Sequence, residues 1–270
     1  MIALAWSDRF WAAALIFLTL LAGRAVACEK PLYLTLDTGG MQSAELIAQI
    51  LHKHEVRATF FLSNEKTFRG DFALDDSWRD YWRARVREGH TFGSHTWSHG
   101  RIVAATEDRI GYRPAHGPQT GRVLTLSPGE FCAELRRVGE QFERLTGRAL
   151  EPLWRAPGGF TTAQALRAAS ACGFTHVHWS AAGFLGDELP SERVSNAALL
   201  EKALSEIRPG DILMAHLGIW SRKEVYAPVL DPLIDQLKSR GFCFQTIASA
   251  DQARMIQSSR DRRQERSLTR

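Results

Sequence analysis

The chain has 270 residues, of which 44% are hydrophobic and 24% charged, and carries a net charge of +4 at neutral pH. The positive sign does not point to nucleic acid: residues 254–270 hold six arginines against Asp261 and Glu265 and leave the rest of the chain close to neutral. Four cysteines without a C-x-x-C pair exclude a thiolate zinc site and are too few for a disulfide scaffold in a chain of this length.

Read from the start, the apolar run Phe10–Ala22 is followed by Gly23-Arg24 and by Ala25-Val26-Ala27. It is too short for a span of about 20 residues, and with an A-x-A pattern behind it the segment 1–27 reads as a signal peptide. The mature chain is therefore expected outside the cytoplasm, periplasmic or extracellular, with a lipid on Cys28 as the second reading. Export makes Cys28, Cys132, Cys172 and Cys243 candidates for disulfides with three possible pairings, against the alternative of buried free thiols.

From residue 28 to 250 short apolar runs alternate with helical patterns. Strands are expected at 31–36, 56–62, 90–94, 152–156, 175–179, 211–216 and 242–247, with amphipathic stretches such as SAELIAQILHKH and GEFCAELRRVGEQFERLTG between them. This βα alternation predicts a parallel sheet in one α/β domain. No Gly-rich phosphate loop follows the first strand, so a closed or nearly closed barrel is expected over a nucleotide-binding open sheet. Residues 101–129 interrupt the rhythm with Pro and Gly punctuation, and are read as a lid or groove wall carrying Tyr112, Arg113 and His116. Residues 251–270 are read as a basic, disordered tail with at most a loose attraction to membrane or cell wall.

In a βα barrel, chemistry gathers where strands end and loops converge. Asp37, the pair His95 and His99, Arg155 and His216 all fall at such ends. Taken singly, each is a turn residue or a solvated side chain; five at equivalent ends argue for a site.

These residues also carry a resemblance. TLDTGG (35–40), ATFFLS (58–63), GHTFGSHTWSH (89–99), RAPGG (155–159) and ILMAH (212–216) resemble, in order, the motifs of the polysaccharide deacetylase family, the NodB-homology or carbohydrate esterase family 4 domain. The resemblance implies a distorted (β/α)7-8 barrel and a metal-dependent hydrolase that removes N-acetyl groups from amino sugars of a polysaccharide. By motif it assigns His95 and His99 to a divalent cation, with zinc the first choice, Asp37 to the base, Arg155 to its orientation and His216 to the acid. A backbone N–H at Gly158 is expected to face the oxyanion, and Trp179 to offer a stacking face, as do Trp78, Trp82, Trp97 and Trp154 unless they are core.

Two departures follow. The family's second Asp, a metal ligand, is Thr38 here, which leaves a weak third ligand. Relatives acting on peptidoglycan muramic acid can carry Asn at this position, so the loss of the acid does not by itself imply inactivity, and the reading tilts modestly toward peptidoglycan. After the strand THVHW, family Asp residues give way to SAAGFLGDELPSE, where Asp187 is a guess for the missing carboxylate. His176 and His178 are read as core at least as readily as functional. The alternatives are a deacylase of a small amide and a non-catalytic glycan-binding relative with a degraded metal site. Terminal sequencing of the protein recovered from cells should find a mature start at or near Cys28; a retained Met1 would sink the leader reading.

Overall fold

The computed structural model describes residues 28–104, 108–249 and 251–258. The leader and the end of the basic tail lie outside the described residues. In chain order the elements are β1 Pro31–Asp37, α1 Ala44–Lys53, β2 Thr59–Leu62, α2 Arg79–Arg87, β3 Thr91–Ser94, β4 Arg101–Val103, β5 Ile110–Arg113, β6 Leu124–Leu126, α3 Pro128–Thr146, β7 Leu153–Trp154, α4 Ala163–Ala171, β8 Thr175–His176, α5 Asn196–Glu206, β9 Ile212–His216, α6 Leu230–Ser239 and β10 Cys243–Phe244.

Seven strands are parallel and form the barrel. β1 pairs with β2, β9 and β10, β2 with β3, β3 with β7, and β7 with β8. Between β8 and β9 the wall is completed by irregular chain: Ser180 N–H donates to Ile212 O and Met214 N–H to Gly183 O. The result is a distorted (β/α) barrel in one domain, as expected. The later strands are shorter than the apolar runs suggest. β7 ends at Trp154, three residues before Pro157, whose nitrogen has no hydrogen to offer a ladder.

Period-two alternation divides each strand between two cores. Leu32, Leu34 and Leu36 of β1 join the cluster under α1, α2, α5 and α6, while Tyr33 faces the barrel interior with Phe61, Leu153, Val177 and Ile212. Gly93 belongs to this interior: a Cβ there would stand 2.8 Å from the Phe61 ring, so glycine makes room for the aromatic filling. α3 is the longest helix and has well-marked ends. Ser127 and Glu130 form a capping box, and Gly147 closes it with φ 76°.

Two stretches outside the strand–helix rhythm are folded. The interruption at 101–129, read from sequence as a lid or groove wall, is built on a sheet: β4, β5 and β6 form an antiparallel sheet, and Ile102, Ile110 and Tyr112 pack against Phe131 and Leu135 of α3. The tail begins as a helix at residues 251–258. Ala253 and Ile256 are buried with Tyr33 and Ile247 at the lower end of the barrel, because apolar side chains spaced three apart on a helix share a face. Among the described residues no helix is long and apolar enough to cross a membrane.

All four cysteines are paired, Cys28 with Cys243 and Cys132 with Cys172. The first ties the start of the described chain to β10, and the second ties α3 to the end of α4. Cys132 and Cys172 are 40 residues apart, a closure that contributes about 4 kcal/mol in the chain-entropy treatment. Replacing both by Ala should lower the unfolding temperature by roughly 10 °C in a domain of this size. An unchanged thermal midpoint would show that the bridge adds nothing to the packing of α3 on α4.

Candidate active site

Counting by twos along the strands places the polar residues of the carboxyl ends on the inner face. Asp37 lies two positions beyond Thr35, and Arg155 two beyond Leu153. In the parallel register Asp37 stands beside His216. Arg155 crosses the lumen to meet the base: its Nη1 donates to Asp37 Oδ1 and to Thr35 Oγ1, both at 2.8 Å, and its Nε to Val177 O at 3.1 Å. The guanidinium lies 4.2 Å from the centroid of the Phe61 ring. Burial tends to raise the Asp37 carboxyl, but Arg155, with smaller help from His95 and His216, holds it below the usual carboxylate range. Asp37 is therefore an ionised carboxylate at neutral pH.

The segment after β3 brings two imidazoles to the site without a helix, His95 toward Asp37 and His99 toward Glu65. It is a turn in which Thr96 and His99 take φ of 64° and 48°, a left-handed conformation that costs a β-branched or bulky residue about 1–3 kcal/mol. The strained turn, not a helical one, sets the relative position of the two histidines. His95 Nδ1 donates to Arg155 O at 2.9 Å, which fixes the neutral tautomer and leaves the Nε2 lone pair 3.5 Å from Asp37 Oδ2. Burial holds the His95 imidazole at about 4, Asp37 opposing, and burial likewise lowers His99 against the pull of Glu65. Both rings are unprotonated donors at neutral pH.

The structure adds Glu65, which sequence reasoning did not single out, and brings to it His116, read from sequence only as part of a groove wall. Glu65, three residues past β2, is buried. Its Oε1 accepts from the Thr38 hydroxyl at 2.5 Å and from Gly39 N–H at 2.9 Å. Its Oε2 lies 3.8 Å from His99 Nδ1 and 3.7 Å from His116 Nε2. Burial tends to raise Glu65, but His99, His116 and the Thr38 hydroxyl hold it well below the carboxylate range. Thr38, read from sequence as a weak ligand, has a different bond pattern: it donates to Glu65 and accepts from Ser63 N–H. The position of Glu65 just beyond a parallel strand was the available signal, the same rule that picked out Asp37 and His95. The role of His116 had no such signal, because the insertion brings it from outside the strand ends.

Asp187 does not supply the missing carboxylate beside His95 and His99. Its oxygens turn to His216, accepting from the backbone N–H at 2.7 Å and lying 3.1 and 3.2 Å from ring Nδ1. Burial tends to deprotonate His216, and the Asp187 carboxylate reverses this and pushes the imidazole up to about 9. Nδ1 is occupied, so Nε2 is the nitrogen left for proton transfer.

The remaining candidates divide. Gly158 is exposed in the left-handed turn after Pro157, and the N–H of Gly159 closes that turn on Ala156 O. Trp179 is partly buried, its ring stacked on His178 with centroids 4.2 Å apart. Trp78, Trp82 and Trp154 are core and present no face to a sugar. His176 packs on the Trp154 ring and burial drops it to about 3, the core reading. Trp220, not singled out from sequence, is exposed on the loop after β9 and lies against Gly40. A cleft of about 410 Å³ opens beside the site, with Trp97, Tyr112, His116 and Arg137 among its walls. A larger one of about 900 Å³ opens at the amino-terminal ends of the strands, between Arg57, His90 and Phe244, and contains none of the site residues.

Residues 25–177 match a family model described as polysaccharide deacetylase. The chain is 26% identical over 231 residues to a peptidoglycan-N-acetylglucosamine deacetylase of Bacillus cereus, covering 85% of this chain and 70% of that protein. It is also 26% identical over 220 residues to the peptidoglycan-N-acetylmuramic acid deacetylase PdaA of Bacillus subtilis, covering 81% and 70%. Among solved structures, a CE4 family pseudoenzyme from Bacillus anthracis shares the fold with a TM-score of 0.60 at 21% identity, over 81% of this chain and 64% of that one. The chain thus spans slightly less than two thirds of that structure, and at this identity the likeness concerns fold alone.

The Asp187–His216 pair makes a pH-dependent contribution whose sign is set by a raised pKa. The stabilisation is complete below the ordinary value of 6.5 and is lost as pH rises through about 9. In the metal-free protein, NMR of the His216 ring should show a midpoint near 9. Asp187→Asn should pull it below 6.5, since burial then acts without the opposing charge; an unmoved midpoint would mean that another group holds the proton.

Proposed function

The chain belongs to the polysaccharide deacetylase family, and from that membership we propose that it hydrolyses carbon–nitrogen amide bonds, removing N-acetyl groups from amino sugars of a cell-wall polysaccharide outside the cytoplasm. Peptidoglycan is the favoured substrate, a reading supported by what the Bacillus relatives are named for. Export is supported by the two disulfides, which persist in oxidising compartments. The observation that carries the proposal is the meeting of Asp37, held ionised by Arg155, with His216, held protonated by Asp187, at paired positions of β1 and β9.

The donor set beside them fits a divalent cation. Unprotonated imidazoles next to a buried carboxylate suit zinc in particular. When bound, such an ion supplies polarisation of the acetyl carbonyl and acidification of water. The chain's own groups do the rest. Asp37 takes the proton of the attacking water, for which it must start ionised, and Arg155 ensures this while fixing the direction of the carboxylate. His216 starts protonated and gives its proton to the sugar nitrogen as the carbon–nitrogen bond breaks, so that acetate and a free amine leave. Asp187 holds the His216 ring in place and stabilises its charged form before the transfer. The side cleft of about 410 Å³ is of a size to enclose part of a glycan, and the exposed Trp220 offers a sugar ring a flat apolar face.

Acetate release from peptidoglycan, chitin oligomers and acetylated exopolysaccharide tests the reading, and a protein inactive on all three would overturn it. Asp37→Asn should lower turnover on the active substrate by roughly 10²-fold or more. The same change leaves Arg155 buried without its counter-charge, so thermal unfolding should show destabilisation alongside. Turnover at the wild-type level in a folded variant would remove Asp37 from the mechanism.

A further inference from the structure

Glu65 presents an unsolved charge. It is a buried acid, yet among the described residues no lysine or arginine pairs with it; its neighbours are a hydroxyl, a backbone N–H and two imidazoles. Asp37, the other buried carboxylate of the site, has Arg155. A buried anion without a cation is unfavourable by several kcal/mol. The arrangement of Glu65 says what kind of cation would relieve it. Oε1 is taken by Thr38 and Gly39, which fixes the plane of the carboxylate, and Oε2 is left facing the rings of His99 and His116.

Separations of 3.8 and 3.7 Å are too long for hydrogen bonds. They are close to the roughly 3.3 Å between donors that share one tetrahedral zinc at bond lengths of about 2.0–2.1 Å. One ligand atom each from Glu65, His99 and His116 lies within 4.8 Å of the other two. The position of His116 is built into the fold. Its N–H and that of Ala115 donate to Ser98 O, and Tyr112 of the same insertion is anchored by its hydroxyl to Glu134 at 2.6 Å and to Ser98 Oγ at 2.9 Å.

We infer that Glu65, His99 and His116 hold the divalent cation, with Glu65 supplying from the end of β2 the carboxylate that position 38 lacks and the insertion supplying a histidine. Thr38 then acts by orienting Glu65 through its hydroxyl. His95, 3.5 Å from Asp37 and with its ring centroid 4.9 Å from that of His99, links this cluster to the base. The inference deepens the deacetylase reading by naming the donors of the same site, but its test is binding and not turnover.

Zinc is titrated calorimetrically into the metal-stripped full chain and into Glu65→Gln, His116→Ala, Thr38→Asp and the double variant Thr38→Asp/Glu65→Gln, with circular dichroism to verify folding. Loss of a direct ligand should weaken zinc binding by at least the 10–100-fold typical of outer partners, so Glu65→Gln and His116→Ala should each show that loss. The double variant should recover part of it, since a carboxylate returns beside His95 and His99. Thr38→Asp alone should bind no more tightly than wild type, because a second carboxylate would face Glu65 at hydrogen-bond distance. His116 is partly exposed, so His116→Ala carries the test if Glu65→Gln does not fold. Wild-type zinc affinity in either folded variant overturns the assignment. Tight zinc binding with the expected losses but no acetate release from any glycan would instead keep the site and overturn the proposed function.

Discussion

Arg155 has no exposed surface, and its guanidinium rests on the face of Phe61. A full positive charge at such a place is tolerable only opposite a negative one, and leaving either partner alone costs roughly 3–5 kcal/mol. Its partner Asp37 stands on β1, three strands away across the barrel mouth, with β2 and β3 between. The pair therefore spans the lumen and separates the apolar filling of Tyr33, Phe61, Leu153 and Ile212 below from the histidine cluster above. The same guanidinium bonds Thr35 and Val177 O, and the Arg155 carbonyl sets the His95 tautomer. Geometry of the base, orientation of one imidazole and closure of the core all depend on this one buried contact.

Around it, three carboxylates are differentiated by their neighbours. Asp37 has a permanent cation and is held ionised and ready to accept a proton. Asp187 faces a histidine and raises its basicity, which turns His216 into a stored proton. Glu65 faces the rings of His99 and His116 and, among the described residues, has no lysine or arginine as counter-charge. Similar side chains acquire different tasks because environment, and not residue type, sets which protonation state is stable.

Rigidity comes from elements at the periphery. The Cys132–Cys172 bridge fastens α3 to α4, α3 supports the insertion through Phe131, Leu135 and Glu134, and the insertion carries His116 to Glu65. The strained residues Thr96 and His99 are tolerated because the turn is held on both sides. Trp97 N–H donates to Glu134 O, and the Thr96 hydroxyl accepts from Gly100 N–H. Strain of this kind persists only where packing over-determines it.

Much of this was legible in the chain before any coordinates. Alternation of apolar runs and helical patterns reports the parallel barrel, since period and length are local properties. Asp37, His95, His99, Arg155 and His216 were recognisable because each lies at or within a few residues of the end of an apolar strand run, and the end of a parallel strand is where such a fold exposes side chains. Local pattern does not reach across the lumen, however. Whether Thr38 leaves its site without an acid depends on Glu65, 27 residues away, and whether Asp187 serves the cluster or His216 depends on how an irregular segment closes the wall between β8 and β9. The cysteine pairing, the burial of the first turns of the tail, and the arrival of His116 are contacts between elements distant in sequence. They were decided by packing, because burial and charge pairing are satisfied by whichever groups the folded chain brings within a few ångströms, and no local period records that.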